Sequence, residues 1–397
     1  MNKIKIKVDF PLIQTRLLPD EEKKVMECIH TARTLTMGPH LAELEENFAK
    51  FLGVKYAVGV DNCTHAIELA AMLLDLGPDD EVILPAHTFT ASALPFLRTK
   101  TRLVFVDIDK ETFVMSEESI LDRITKRTKA IVPVHLYGLM APMKMISEVA
   151  RKNNIVVIED VAQAPGALID GKIAGSWGDF SCFSFHSQKN ITALGEGGLI
   201  ATNNSDAHEK ILGLRKIGNR PYKNQDKYWI PAMSNVIEAV PGKIPYNFAL
   251  AEPNACAANC ILSRINDINE TRRNQANRIK KGLSDFPELE FQKIPSGYIH
   301  AYHLLVARYR ASHSERDDLI DILYNQYGIK CVVQYMPLYN YELFQRNGYN
   351  EHNCPKSDDF FKNMISFPFW SNMALDTMEY MIDSTRKAIT CLRNKKK

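Results

Sequence analysis

One lysine stands out for its surroundings. Lys189 lies in Phe183-Ser184-Phe185-His186-Ser187-Gln188-Lys189-Asn190, where an apolar, aromatic run enters a short polar turn, and Gly195-Glu196-Gly197-Gly198 closes the segment. A lysine in a tight apolar setting loses solvation of its ammonium form, so its pKa falls and the free amine becomes available. A free amine forms a Schiff base with an aldehyde, that of pyridoxal phosphate included. An exposed surface lysine is the bland alternative, and the neighbouring residues must decide between the two.

Three further features fall where a cofactor site belongs, at the carboxyl ends of parallel strands. Asp160 directly follows the strand run Ile155 to Ile158. A buried carboxylate there can keep the ring nitrogen of pyridoxal phosphate protonated, which that ring needs as an electron sink. An aspartate capping the next helix reads equally simply. Gln163, on the same turn, can reach the ring hydroxyl. Asn62-Cys63-Thr64 opens a helix, and helix N-termini suit a phosphate, although plain capping explains these residues too. Phe89, after a strand in Pro85-Ala86-His87-Thr88-Phe89-Thr90, can stack on a flat ring or simply fill a core.

Competing chemistries have less support. Gly195-Glu196-Gly197-Gly198 is not the dinucleotide fingerprint, and neither a P-loop nor a serine nucleophile elbow occurs. His135, His186 and His303 are too scattered for a metal-dependent hydrolase, and no metal is expected. Cys256 and Cys260 sit four apart without a second Cys/His pair at zinc spacing, so they read as small buried hydrophobes. A lysine Schiff-base enzyme is the chemistry these residues favour.

The elements that must position them follow from periodicity. Leu41, Leu44, Phe48 and Leu52 mark an amphipathic helix over 40 to 52, and Thr64 to Leu76 reads as a second, stopped by Gly77-Pro78. Strands are expected at Tyr56–Val60, Val82–Leu84, Leu103–Val106, Ala130–Val134, Ile155–Ile158, Phe180–Phe183 and Leu199–Ala201. Apolar strands alternating with helices predict an α/β fold with a largely parallel sheet covered on both faces. From about 205 to 250 the chain reads as polar loop, followed by one long helical stretch from Ala251 to Gly282. Beyond it a strand at Tyr302–Ala307 and helices near Asp317–Tyr327 and Asp376–Leu392 predict a smaller α+β unit. The expected division is a large domain over 1–282 and a small one over 283–397.

The totals narrow the setting. The chain has 397 residues, 45% hydrophobic and 24% charged, with a net charge of +2, so no strong field for nucleic acid or membrane is expected. No run reaches transmembrane length, and Met1 to Lys7 alternates charge with isoleucine and lacks a signal-peptide core. The Lys395-Lys396-Lys397 end reads as a solvated tail. Eight scattered cysteines without a disulfide framework fit a reducing, cytoplasmic location.

Taken together these segments resemble the DegT/DnrJ/EryC1/StrS family of sugar aminotransferases over nearly the whole chain. The resemblance rests on Gly38-Pro39 before Glu43-Leu44-Glu45, Tyr56-Ala57-Val58-Gly59-Val60, Thr88-Phe89, Val134-His135-Leu136-Tyr137-Gly138, Glu159-Asp160-Val161-Ala162-Gln163-Ala164 and Gly178-Asp179. It is most specific from Ser184-Phe185-His186 through Lys189-Asn190 to Gly198. It implies a type I pyridoxal-phosphate aminotransferase fold, a mixed seven-stranded sheet with a smaller C-terminal domain, and a homodimer with active sites at the subunit interface. In it Lys189 would hold the cofactor and act as acid and base. Asp160 would meet the pyridine nitrogen, Gln163 the ring hydroxyl, and Phe89 would stack. Cys63 by its amide, Thr64 and Ser184 would hold the phosphate, Asn247 would reach it from the neighbouring subunit, and His186 would lie beside the sugar. The implied substrates are an amino acid donor, usually glutamate, and a keto-sugar, usually nucleotide-linked. Lysine at 189, where related dehydratases usually carry histidine, favours transamination.

Departures cluster on the substrate side. Cys63 replaces a usual glycine, Ala249 a common arginine, and Gln334-Tyr335-Met336-Pro337-Leu338-Tyr339 lacks both histidines of the corresponding segment. The stretch from Arg220 to Pro245 is longer and less familiar. A sugar phosphate or keto-cyclitol acceptor is therefore an alternative, as is a cofactor-binding regulator with little turnover. No helix-turn-helix or basic DNA-binding segment supports the last.

Overall fold

The protein is represented by a computed structural model that describes residues 5–218, 236–311, 314–350 and 353–394. Its centre is a seven-stranded sheet in the order β1-β9-β8-β5-β4-β2-β3. The strands are β1 (Tyr56–Val60), β2 (Glu81–Pro85), β3 (Arg102–Val106), β4 (Thr128–Ile131), β5 (Val156–Asp160), β8 (Phe180–Ser184) and β9 (Gly198–Thr202), with a short ribbon of β6 (Leu168–Ile169) and β7 (Lys172–Ile173) between β5 and β8. β3, β2, β4, β5 and β8 pair in parallel, while β9 runs antiparallel to both β8 and β1. The expected mixed, mostly parallel sheet is thus present.

Side-chain alternation along each strand divides the core in two. Val82 and Leu84, Ala130 and Val132, Ile158, Cys182 and Ile200 enter one apolar layer. Ile83, Ile131, Val157, Phe183 and Leu199 enter the other. Burial on both faces is why these strands read as continuous apolar runs rather than alternating ones. The first layer packs on α3 (Cys63–Leu73), the second on α2 (Pro39–Leu52) and α8 (Glu252–Leu262). α1 (Pro19–Thr31) packs outside α8 through Val25, Cys28, Cys256 and Ala257, where Cys256 and Cys260 sit as small hydrophobes. Crossovers on the parallel side use α4 (Leu94–Arg98), α5 (Glu117–Leu121) and α6 (Met143–Asn153).

Three expectations need correction. The stretch after residue 205, read as loop, begins with a helix, α7 (Ser205–Arg215), capped by Asn204, whose side chain accepts from the amides of Asp206 and Ala207. The long helix read from Ala251 to Gly282 is two helices, α8 and α9 (Ile265–Gly282), interrupted at Ser263 and Arg264. The strand read from Tyr302 starts only at Leu305, because Tyr302 has φ +47°. Most of the unfamiliar stretch from Arg220, and the Lys395–Lys397 tail, lie outside the described residues.

The C-terminal part builds a separate three-stranded antiparallel sheet from β10 (Leu289–Phe291), β12 (Leu305–Tyr309) and β13 (Met364–Phe367), while β11 (Tyr298–Ile299) joins the β6–β7 ribbon. α10 (Arg316–Tyr327) and α13 (Leu375–Asn394) cover it, α11 (Glu342–Arg346) and α12 (Pro355–Asn363) lie between them in the chain, and the end of α9 completes its core. Val8 enters that same core and bridges Ile329, so the N-terminal segment crosses the molecule before α1 begins.

Candidate functional site

A cavity of about 1100 Å³ opens at the carboxyl ends of β5 and β8, and its wall includes Cys63, Thr64, Phe89, Asp160, Gln163, Ser184, His186 and Lys189. Eight of the nine residues singled out by sequence therefore meet at one place. The ninth, Asn247, is exposed, lies outside this cavity and bridges Lys216.

Each member is positioned by the chain around it. Asp160 ends β5 and is 5% exposed. Its Oδ2 accepts from Ser92 Oγ at 2.7 Å and its Oδ1 from the Ala162 amide at 3.0 Å. Gln163 is buried; its Oε1 accepts from the Tyr137 amide at 2.8 Å, which leaves Nε2 to donate, and Tyr335 Oη lies 3.5 Å away. Lys189 sits in a turn closed by its own amide on the His186 carbonyl, with the Phe185 amide tied to Gly197. Burial pushes the Lys189 amine below the usual lysine range, against the pull of Asp160, Cys63 and Glu196. His186 Nδ1 accepts from the Gln188 amide, so its proton rests on Nε2, 3.7 Å from Glu196 Oε1.

The amino end of α3 faces the cavity. Asn62 caps it, Oδ1 accepting from the His65 amide at 2.9 Å, and Cys63 and Thr64 begin the first turn. β9 crosses immediately behind. A Cβ on Gly198 would lie 2.4 Å from the Asn62 carbonyl carbon, so only glycine lets the strand approach the helix start this closely. Cys63 is buried, and burial and then Asp160 and Cys182 push its thiol well up, so it remains a neutral thiol here. Phe89 is 52% exposed, its ring centroid 5.7 Å from that of Tyr335.

Sequence reasoning missed several contributors. Ser92 comes from a 3-10 turn and has no motif of its own. Tyr335 lies in the departed Gln334–Tyr339 segment, and the C-terminal part brings it over the cavity together with Val332 and Val333. His303, set aside as a stray metal ligand, also lines the wall. Among the described residues no group of three or more His, Cys, Asp or Glu could hold a metal ion. The donor set suits a phosphorylated pyridine aldehyde: a buried amine, an anchored carboxylate, an amide donor, an aromatic flank and a helix start with a hydroxyl.

Comparison with known proteins agrees. Residues 17–386 match the DegT/DnrJ/EryC1/StrS aminotransferase family. A dTDP-3-amino-3,4,6-trideoxy-alpha-D-glucose transaminase of Micromonospora megalomicea subsp. nigra is 31% identical, with 92% of this chain and 93% of that protein covered. A protein of Geobacillus stearothermophilus called a pleiotropic regulatory protein is also 31% identical, over 93% of this chain and 95% of its own. The structure of Helicobacter pylori PseC, an aminotransferase involved in the biosynthesis of pseudoaminic acid, superimposes with a TM-score of 0.88 at 25% identity, covering 96% of this chain and all of that one. The molecule is an α/β enzyme with the type I fold of pyridoxal-phosphate aminotransferases. The chain belongs to the DegT/DnrJ/EryC1/StrS aminotransferase family.

Proposed function

We propose that this aminotransferase binds pyridoxal 5'-phosphate through Lys189 and moves an amino group from an amino acid, L-glutamate foremost, to a nucleotide-linked keto-sugar. The observation that carries the reading is the convergence of Lys189, Asp160, Gln163 and the α3 start on one cavity. The dTDP-linked sugar in the Micromonospora relative's name supports a nucleotide carrier. The reaction is a step of amino sugar biosynthesis.

When bound, the cofactor supplies an aldehyde and an electron sink for the carbanion formed at the donor's α-carbon. The protein's part is positioning and proton handling. Thr64, Ser184 and the α3 amides, that of Cys63 included, hold the phosphate. Asp160, oriented by Ser92 and the Ala162 amide, would face the ring nitrogen. Gln163 Nε2 donates to the ring hydroxyl, and Phe89 and Tyr335 flank the ring. Lys189, its amine already disfavoured as a cation, would take the proton from the donor's α-carbon and return it to the cofactor's aldehyde carbon, across the nitrogen between them. The acceptor half runs the same proton path backwards, with His186 beside the sugar.

In this reading the enzyme works as a homodimer and Asn247 completes the partner's phosphate site. Exposed apolar side chains near Asn247 and the cavity support it, among them Leu12, Phe89, Leu194, Ile244 and Tyr246. The chain divides at 282/283, the small domain supplying Tyr335. All eight cysteines are unpaired, which supports a cytoplasmic location. No helix among the described residues is long and apolar enough to cross a membrane, and no membrane or nucleic-acid partner is invoked.

Two other readings have specific motives. Ala249, lacking the usual arginine, leaves room for a sugar phosphate or keto-cyclitol acceptor. The Geobacillus relative's name motivates a regulator with little turnover. Absorbance spectra of purified protein before and after L-glutamate separate these. Conversion of the lysine-bound cofactor band to the pyridoxamine form, with release of 2-oxoglutarate, supports the transaminase. A band that no amino acid alters would leave the regulator. Tighter binding of the nucleotide-linked sugar than of its sugar phosphate would decide the acceptor.

A further inference from the structure

One wall of the cavity carries groups that the cofactor assignment does not use. His303 is 3% exposed and lines the cavity, yet its Nδ1 is buried without a hydrogen-bond partner among the described residues. A buried polar atom left unpaired costs about 1–3 kcal/mol, a cost that a partner seated in the cavity would offset. Directly behind it lies Arg272, fully buried. Its Nε donates to the Tyr302 carbonyl at 2.6 Å and its Nη2 to the His303 carbonyl at 2.7 Å, while Nη1 reaches Ser371 Oγ at 2.9 Å and Gln14 Oε1 at 3.4 Å. Its Cζ also lies 4.9 Å from the Phe369 ring centroid, but among the described residues no carboxylate pairs with it, and a buried cation without one is costly to keep.

The segment holding His303 is fixed from the other side as well. The Ala301 amide donates to the Gly138 carbonyl at 2.9 Å and the Leu304 amide to Tyr137 at 3.2 Å. Gly138, at φ +111°, has no room for a side chain: a Cβ would lie 2.5 Å from the Tyr302 nitrogen. Tyr302 itself is held at φ +47°, an uncommon conformation for a residue with a Cβ. The backbone that carries the imidazole is therefore preorganised, and His303 lines the same cavity as Lys189.

We propose that His303, with Gln14 beside it and the Arg272 guanidinium behind, forms the seat of the amino donor's carboxylate. The inference rests on the donor being an amino acid, as proposed above. Its chemistry is direct. The donor's reacting carbon must approach Lys189, and its carboxylate is bonded to that carbon, so the carboxylate docks next to the lysine. A neutral imidazole offers it an N–H, and the guanidinium, which no carboxylate neutralises, supplies the positive potential that favours an anion over a sugar hydroxyl. Burial, with Lys189, Arg272 and His186 nearby, holds His303 well below the usual histidine range, so the imidazole stays neutral until an anion arrives. This corner supplies anion recognition in a chain with alanine at 249.

The test is titration of the holoenzyme with glutarate, a dicarboxylate with no amino or keto group to react, followed by calorimetry. His303→Phe is expected to weaken glutarate binding by about tenfold to a hundredfold, the range of a hydrogen bond to a charged group. His303→Gln, which keeps a donor, should recover much of it. With L-glutamate, the dissociation constant should rise by a similar factor, a larger loss than any in the keto-sugar half-reaction. Glutarate binding unchanged in His303→Phe, or equal losses in both half-reactions, would overturn the proposal. So would a wild-type crystal structure with glutarate in which no carboxylate meets His303, a result independent of how the variants fold. A wild-type enzyme that reacts with no amino acid would instead remove the function on which the proposal rests.

Discussion

Removing one hydroxyl tests the polar anchoring of the site. Ser92 is 1% exposed, and its Oγ donates to Asp160 Oδ2 at 2.7 Å, with Thr88 Oγ1 a further 3.2 Å from it. A hydrogen bond to a charged group contributes about 1.5–3 kcal/mol. In Ser92→Ala the Ala162 amide at 3.0 Å remains, so Asp160 keeps one donor and loses the other. The ion pair of this carboxylate with a protonated pyridine ring then loses that energy relative to the neutral pair. The limiting rate of the glutamate half-reaction, followed by stopped-flow absorbance, should therefore fall by roughly tenfold to a hundredfold. Ser92→Thr, which keeps the hydroxyl, should remain near wild type. A Ser92→Ala rate within twofold of wild type, alongside an inactive Asp160→Ala, would refute the assigned role of this hydrogen bond.

Other expectations follow from the same geometry. If Asn247 serves the partner's site, a mixture of Lys189→Ala and Asn247→Ala chains contains heterodimers with one intact site, and at equilibrium should recover up to about a quarter of wild-type activity, measured against each variant alone. Gly198→Ala drives a Cβ against the Asn62 carbonyl and should loosen the α3 start; cofactor affinity should drop at least tenfold in a titration while the circular dichroism stays native. Burial holds His87 down at about 3. The unfolded chain takes up that proton from about pH 6.5 downward, and the folded one only near pH 3. Stability contributed by the neutral imidazole is therefore complete above pH 6.5 and falls by about 1.4 kcal/mol per pH unit below it. Denaturant titrations at pH 7.5 and 5 should show a shallower loss in His87→Leu than in wild type.

The parts of this molecule legible in sequence are those whose cause is local. Seven strands showed as apolar runs because both faces of the sheet are buried, and Ile83 and Val82 enter opposite layers. Lys189, Asp160, Gln163 and Thr64 stood out because each follows a strand or opens a helix. Residues that reach the cavity across the fold left no such trace. His303 depends on a backbone fastened to Gly138 and Arg272, and the same fastening gives Tyr302 its positive φ and ends the expected strand early. Tyr335 arrives from the C-terminal part, and Ser92 matters only through its contact with Asp160. α7 escaped notice because the chain from about 205 reads as polar loop, whereas Asn204 is a helix cap. The break between α8 and α9 falls at Ser263 and Arg264 and carries neither proline nor glycine, so no local signal marks it.

The central claim is that Lys189 is the residue that bonds the cofactor. Holoenzyme treated with borohydride fixes that bond, and digestion with mass spectrometry then locates it. The account predicts a single phosphopyridoxyl group, on the peptide carrying Lys189, and its absence in Lys189→Ala. A modified lysine elsewhere, or none in protein that holds the cofactor, would contradict it.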